Sequence, residues 1–191
     1  KENDKTFCFW ASKNEDIYID YKNLISHEWS NIQINDNSEE SISPLSYFHI
    51  NSIDLYEASR ALAQQRNISF LAQKVIGLKQ KNQFEIKTDD FTFFSDWVFD
   101  SRPMDFNIIK NNVFYISQSF FGFKIRLIEA YFKKDVYHMM DFRVNQKKAT
   151  QFVYILPYDT QTGLVELTRF GKIILEKEEA KNILHEFINE N

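Results

Sequence analysis

The stretch at residues 154–170 reads YILPYDTQTGLVELTRF and holds a carboxylate, Glu166, inside a run that otherwise looks like buried strand. Strand alternation puts Leu164, Glu166, Thr168 and Phe170 on one face. That face is apolar apart from Glu166 and Thr168. Apolar burial penalises the charged form of a carboxylic acid and keeps it protonated near neutral pH, which is what delivering a proton requires. Two plainer readings stand beside this one. Glu166 could be a solvated surface residue, or it could pair with Arg143 or Arg169 on an exposed sheet face. Other residues could also do chemistry. Asp100, Ser101 and Arg102 follow the strand-like WVFD, which either sets polar groups at a ligand edge or makes a turn closed by a local Asp–Arg pair. In QSFFGF, Gln118, Phe120 and Gly122 share a face that could line a channel, although Gly122 could instead mark a bulge. Asp141 and Arg143 share one side of VYHMMDFRV and are placed to pair with each other.

Several elements must hold these residues. YILPY and GLVELTRF form a hairpin about the polar loop at residues 159–162, followed by Gly163. VFYISQSFFGFKIRLIEAYF alternates along its length, with Ser117, Ser119, Phe121, Phe123, Ile125 and Leu127 on one side. In VYHMMDFRV the residues Tyr137, Met139, Asp141 and Arg143 share a side. ISFLAQKVIGLKQ, QFEIKT and FTFFSDWVFD read as strands, with a turn near Thr88, Asp89 and Asp90. A polar loop over residues 35–43 precedes Pro44 and the strand LSYFHI. A helix is expected over residues 51–65, capped by Asn51 or Ser52, with Ile53, Tyr56, Ala61 and Leu62 as its apolar stripe. A second amphipathic helix, residues 176–189, carries Ala180, Ile183, Leu184, Phe187 and Ile188. Consecutive strands followed by a helix predict an α+β fold, an antiparallel sheet with flanking helices.

Composition narrows the function classes. The chain has 191 residues, 43% hydrophobic and 26% charged, which is a globular balance. Its formal net charge of −4, with no basic run interleaved with aromatics, argues against a nucleic-acid partner. Phe 19, Tyr 9 and Trp 3 against Gly 4 and Pro 3 supply apolar area for a core or for a long hydrophobic ligand. No Gly-rich phosphate motif is present. A single cysteine, Cys8, rules out an internal disulfide and suits a reducing compartment. His27, His49, His138 and His185 show no metal-ligand spacing, so no metal is expected. No run approaches a membrane-spanning length.

The order of several short motifs is more specific than any one of them. KTFCFW, EWSNIQI, YFHINSIDLYEA, VFDSRP, QSFFGFKI, MMDFRV, FVYILPY and LVELT follow one another through nearly the whole chain. Together they resemble the lycopene cyclase family, flavin-dependent enzymes that close the ionone rings of carotenoids. The family opens with a strand, a Gly-rich turn and a helix that bind the flavin dinucleotide. Neither that opening nor the family's C-terminal part is in this sequence. The resemblance therefore implies one compact unit over residues 1–191, the middle of an FAD/NAD(P)-binding flavoprotein. Residues 1–100 would partly complete the flavin domain and residues 101–191 would form the substrate-binding sheet. Locally the family places two acids together, whereas here Glu166 is followed by Leu167.

The resemblance also implies a chemistry: an isomerase reaction, cyclisation of lycopene end groups by acid and base without net redox change. It casts Glu166 as the proton donor, Asp100, Ser101 and Arg102 as flavin contacts, and Gln118, Phe120, Gly122 and Asp141 as substrate contacts. It implies reduced FAD and NAD(P)H in the intact enzyme and no cofactor bound to this segment alone. The implied partner is the carotenoid polyene. The implied location is cytoplasmic with peripheral membrane contact, since the substrate is insoluble in water. Two alternatives are a flavin monooxygenase-like substrate domain and a non-catalytic hydrophobic-ligand module.

Overall fold

The computed structural model describes residues 5–102 and 115–191. They fall into two compact units, Lys1–Ala58 with Tyr115–Asn191, and Ser59–Phe114. The expected single unit split near residue 100 is therefore replaced by a division in which the first 58 residues join the last 77. The reason lies in strand pairing, because early strands complete the sheet that the late strands build.

In chain order the elements are β1 (Thr6–Ala11), α1 (Asp16–Tyr21), β2 (Ile25–Trp29), β3 (Asn31–Ile34), β4 (Glu40–Ser41), β5 (Ser46–Asn51) and α2 (Ser52–Gln65). Then follow β6 (Val75–Gln80), β7 (Phe84–Thr88), β8 (Thr92–Ser95), β9 (Ser117–Arg126), β10 (Val136–Asp141), β11 (Thr150–Pro157), β12 (Thr162–Gly171) and α3 (Lys177–Glu190).

In the larger unit a six-stranded sheet runs in the order β4-β3-β10-β11-β12-β9. It is antiparallel except where β3 pairs parallel with β10, so the sheet is mixed rather than purely antiparallel. One face carries Val153, Ile155, Val165 and Leu167, and α3 covers it with Ala180, Leu184 and Phe187. Phe121, Phe123, Ile125 and Leu127 pack on the same side, as the alternation of β9 predicts. The other face carries Tyr137, Tyr154, Leu156 and Leu164. It packs against the inward side of a three-stranded sheet of order β1-β5-β2, through Trp29, Tyr47 and Cys8. The indole N–H of Trp29 donates to the Pro157 carbonyl at 2.9 Å and ties the two sheets together. The outward side of the small sheet buries Phe9, Ala11, Phe48 and Ile50 beneath Tyr18, Tyr21, Leu24 and Leu55. In the smaller unit β6, β7 and β8 form an antiparallel meander, with the expected turn closed by Thr88 N–H to the Phe91 carbonyl at 2.8 Å.

Several expected elements come out shorter. The long strand through QSFFGF stops at Arg126, because Leu127 and Phe132 turn their N–H groups to the carbonyls of Gln161 and Thr160 in the β11–β12 loop. ISFLAQK is not strand, and FTFFSDWVFD is strand only to Ser95, whose hydroxyl donates to the Trp97 carbonyl at 2.6 Å. In α2, Tyr56 and Leu62 are exposed, while Ala63 is buried and Leu55 packs beneath the small sheet. In β10 the register shifts between His138 and Asp141, which turns Asp141 away from the side of Tyr137.

Candidate functional site

Glu166 lies on β12 between Tyr154 of β11 and Gly122 of β9, its direct cross-strand neighbours. It stands on the face turned toward the small sheet. The register through Gly122 is unbroken, so this glycine does not mark a bulge. Its role is spatial: a Cβ added at Gly122 would sit 3.1 Å from Glu166 Cβ and 3.2 Å from both Leu164 Cδ1 and the Val165 carbonyl. The bare backbone lets β9 close on β12 beside Glu166. Gly122→Val is expected to push β9 off β12 and cost about 1–3 kcal/mol, read as a lower urea midpoint.

Tyrosines and a thiol surround this position. The Tyr154 hydroxyl donates to the Tyr47 hydroxyl at 2.7 Å, and Tyr47 is hydrogen-bonded in turn to Cys8. Tyr137 stacks 4.7 Å from Tyr47, and its own hydroxyl is buried without a partner. Trp10 lies 5.2 Å from Tyr47, and Lys124 sits 4.9 Å above the Tyr158 ring.

Burial raises the pKa of Glu166 above the usual carboxylate range, and a hydrogen bond with Thr168 offsets part of that rise. The charge of Glu166 in turn helps to raise Cys8, Tyr47 and Tyr158, which places the carboxylate among them. Burial pushes the Cys8 thiol up to about 12. At pH 8 so little thiolate remains that iodoacetamide should label Cys8 roughly a thousandfold slower than in urea. Equal labelling rates in native and unfolded protein would contradict that burial.

Both cations proposed as structural partners of Glu166 are engaged elsewhere. Arg143 clasps Asp141, with Nε 2.9 Å from Oδ1 and Nη2 2.5 Å from Oδ2. Arg169 lies on the helix-covered face and binds Glu179 at 2.7 Å and Gln151 at 2.6 Å. Leu167 is fully buried on that same face. Adjacent strand residues point to opposite faces, so a second acid at position 167 would enter the core under α3 rather than stand beside Glu166.

The other candidates divide. Phe120 pairs with Thr168 and Gln118 with Phe170, so both share the face of Glu166 and Gly122. Phe120 is exposed at the open β9 edge of that face. Asp141 does not join them. It is buried on the α3 side, its carboxylate taken up by Arg143, because the bulge in β10 reverses its direction. Asp100 and Arg102 lie in the smaller unit and close on each other, with Arg102 Nη2 2.8 Å from Asp100 Oδ2. The hydrogen bonds from Arg102 hold Asp100 down at about 2. Arg102 also donates to the Val75 carbonyl at 3.3 Å, and Ser101 is exposed beside the pair.

A flavin dinucleotide needs a phosphate cradle, and the described residues do not form one. Gly77, Gly122, Gly163 and Gly171 all lie in strands, and none has a positive φ. The first turns of α2 and α3 carry Asp54, Glu178 and Glu179, which repel an anion. Among the described residues no cluster of three or more His, Cys, Asp or Glu could hold a metal ion.

A family model described as lycopene cyclase protein matches residues 2–190. The chain belongs to that family. Among curated proteins no sequence matches. Of the solved structures, a geranylgeranyl bacteriochlorophyll reductase-like protein from Thermoplasma acidophilum is similar at a TM-score of 0.50 and 13% identity, covering 95% of this chain and 51% of its own. A peptidyl tryptophan dihydroxylase, QhpG, is similar at a TM-score of 0.49 and 8% identity, covering 90% of this chain and 39% of its own. At such identities only the first likeness carries weight, and it speaks to fold alone. The chain spans about half the length of that relative.

The tyrosines around Glu166 differ in how far local pattern places them. The hairpin loop at residues 159–162 fixes the β11–β12 register, and with it Tyr154 opposite Glu166. That pairing was readable from FVYILPY and LVELT. Tyr47 and Cys8 were not, since they arrive from a separate sheet.

Proposed function

We propose that this chain carries the proton-donating centre of an enzyme that cyclises lycopene end groups to ionone rings. The observation that carries the proposal is Glu166 itself. It is part-buried, raised in pKa, free of a cation partner among the described residues, and flanked across the strand by the bare backbone of Gly122. A carboxylic acid of that kind can protonate the terminal double bond of a polyene. The resulting carbocation closes a six-membered ring through the next double bond, and a neighbouring carbon then loses a proton. Atoms and electrons balance, with one proton gained and one lost.

The surrounding rings suit a cation. Tyr47, Tyr137, Tyr154 and Trp10 present aromatic faces worth about 0.5–2 kcal/mol each to a positive charge within reach. Phe120 and Gln118 extend the same face to the β9 edge, where the rest of a long polyene can lie. Asp141 has no part in substrate binding in this proposal. Reduced FAD and NAD(P)H belong to the whole protein, where flavin would stabilise the cation electrostatically. The described residues offer its phosphates no glycine cradle.

A water-insoluble substrate implies work at a membrane surface. Peripheral contact would bring the polyene to the site, and among the described residues no helix is long and apolar enough to cross a membrane. The test is expression of the full-length gene in lycopene-accumulating cells, followed by pigment identification. Carotenoids with ionone rings are expected. Unchanged lycopene, or a hydroxylated product formed with stoichiometric oxygen consumption, would contradict the proposal.

A further inference from the structure

We propose that the α3-covered side of the large sheet holds a second ligand site, which takes an elongated apolar molecule ending in an uncharged oxygen such as a ketone or hydroxyl. A cavity of about 550 Å³ opens there, walled by apolar residues that include Leu127, Ile155, Val165 and Ile188. A second recess of about 330 Å³ shares Tyr131, Phe132, His138 and Arg143 with it. The larger volume lies within the range of pockets that enclose small ligands, room for about a dozen carbons. None of its lining residues is assigned a role in the reaction at Glu166, and β12 separates the two places. Val165 faces the cavity, whereas Glu166 faces the tyrosines.

Arg126, Glu129, His138, Asp141, Arg143 and Asn191 bring polar groups to the lining, and His138 and Arg143 are the ones that bear on the head group. His138 Nδ1 is shut away from water and has no hydrogen-bond partner among the described residues, which leaves Nε2 as the ring's other polar atom. A proton on Nδ1 would be a buried donor with no acceptor, which favours the tautomer that carries it on Nε2. Arg143 is part-exposed and spends Nε and Nη2 on Asp141, and among the described residues no hydrogen bond takes up its Nη1. His138 and Arg143 therefore present donors, and a ligand that reaches them must bring an acceptor. The Asp141 carboxylate already balances the Arg143 charge. A second carboxylate would face that buried anion, so a neutral oxygen fits better than an acid.

The test is calorimetric titration of the full chain with three twelve-carbon probes: 2-dodecanone, dodecane and dodecanoate. The ketone should bind one saturable site, about tenfold tighter than the alkane, the effect of one hydrogen bond. His138→Leu should remove that tenfold advantage. Leu127→Trp, checked for an unchanged melt, should abolish binding of both probes by filling the cavity. Glu166→Gln should leave ketone affinity unchanged, because it lies on the opposite face, so failure here is distinguishable from failure at Glu166. Equal binding of ketone and alkane, tighter binding of dodecanoate, or full binding by Leu127→Trp would each overturn the proposal.

Discussion

Glu166→Gln in the full-length enzyme is expected to lower ring formation by about 10²–10⁴-fold, the usual contribution of a positioned general acid. The amide keeps the shape and the Thr168 contact but holds no transferable proton. Stability should move the other way. Burial raises the folded-state pKa of Glu166, so ionising it is harder in the folded chain than in the unfolded one. A group shifted upward favours the fold fully below its unfolded pKa, and that contribution is lost as pH rises through the folded value. At pH 8 the wild type therefore holds a disfavoured carboxylate that the variant lacks. Glu166→Gln should melt at the same temperature as the wild type or higher while losing activity. A merely structural Glu166 would give the reverse, a lower melt with activity intact. For the same reason the wild-type rate should fall as pH rises through the raised pKa, and this limb should lie above the ordinary carboxylate range.

Glu179→Ala should cost about 2–4 kcal/mol of stability, seen as a lower urea midpoint by far-UV circular dichroism. Arg169 is nearly inaccessible, and its guanidinium is satisfied by Glu179 and Gln151. Removing Glu179 leaves a cation in the interface between sheet and helix with half its partners gone. The estimate sits toward the low end for a broken buried pair because the Glu179 side chain is 29% exposed and shared with Lys147. Hydrogen bonds from Arg169 and Lys147 hold Glu179 down at about 2. A carboxylate lowered in this way adds stability above its unfolded pKa and loses it as pH falls through the folded value. The gap between wild type and Glu179→Ala should thus close between about pH 4.5 and pH 2. A gap that stays constant over that window would mean that the pair does not hold α3 to the sheet.

The sequence carried the local parts of this site well, because local parts follow from period and turn. The hairpin through Asp159, the alternation of β9 and the stripe on α3 all rest on contacts close in sequence or on a strict twofold period. They placed Glu166 on one strand face and Gln118, Phe120 and Gly122 on a face of another strand, and the β9–β12 register brings the two together. Distance in sequence defeated the rest. β1 and β2 are short and pair with β5 across intervening elements, so the small sheet with Tyr47 and Cys8 had no local signature. A bulge is invisible to alternation, and one bulge in β10 moved Asp141 to the wrong side of the sheet for the role given to it. Leu167, where the family places a second acid, follows from local pattern. Alternation alone says that neighbours on a strand cannot share a site, and the buried position of Leu167 beneath α3 agrees.

The most direct test follows the proton. Full-length wild type and Glu166→Gln would cyclise lycopene in D2O, with ring number and deuterium content read by mass spectrometry. If Glu166 donates the proton, each ring made by the wild type retains one deuterium, and the variant makes rings at about a hundredth of the wild-type rate or less. Rings formed by Glu166→Gln at the wild-type rate, with the same deuterium content, would show that the proton comes from another group.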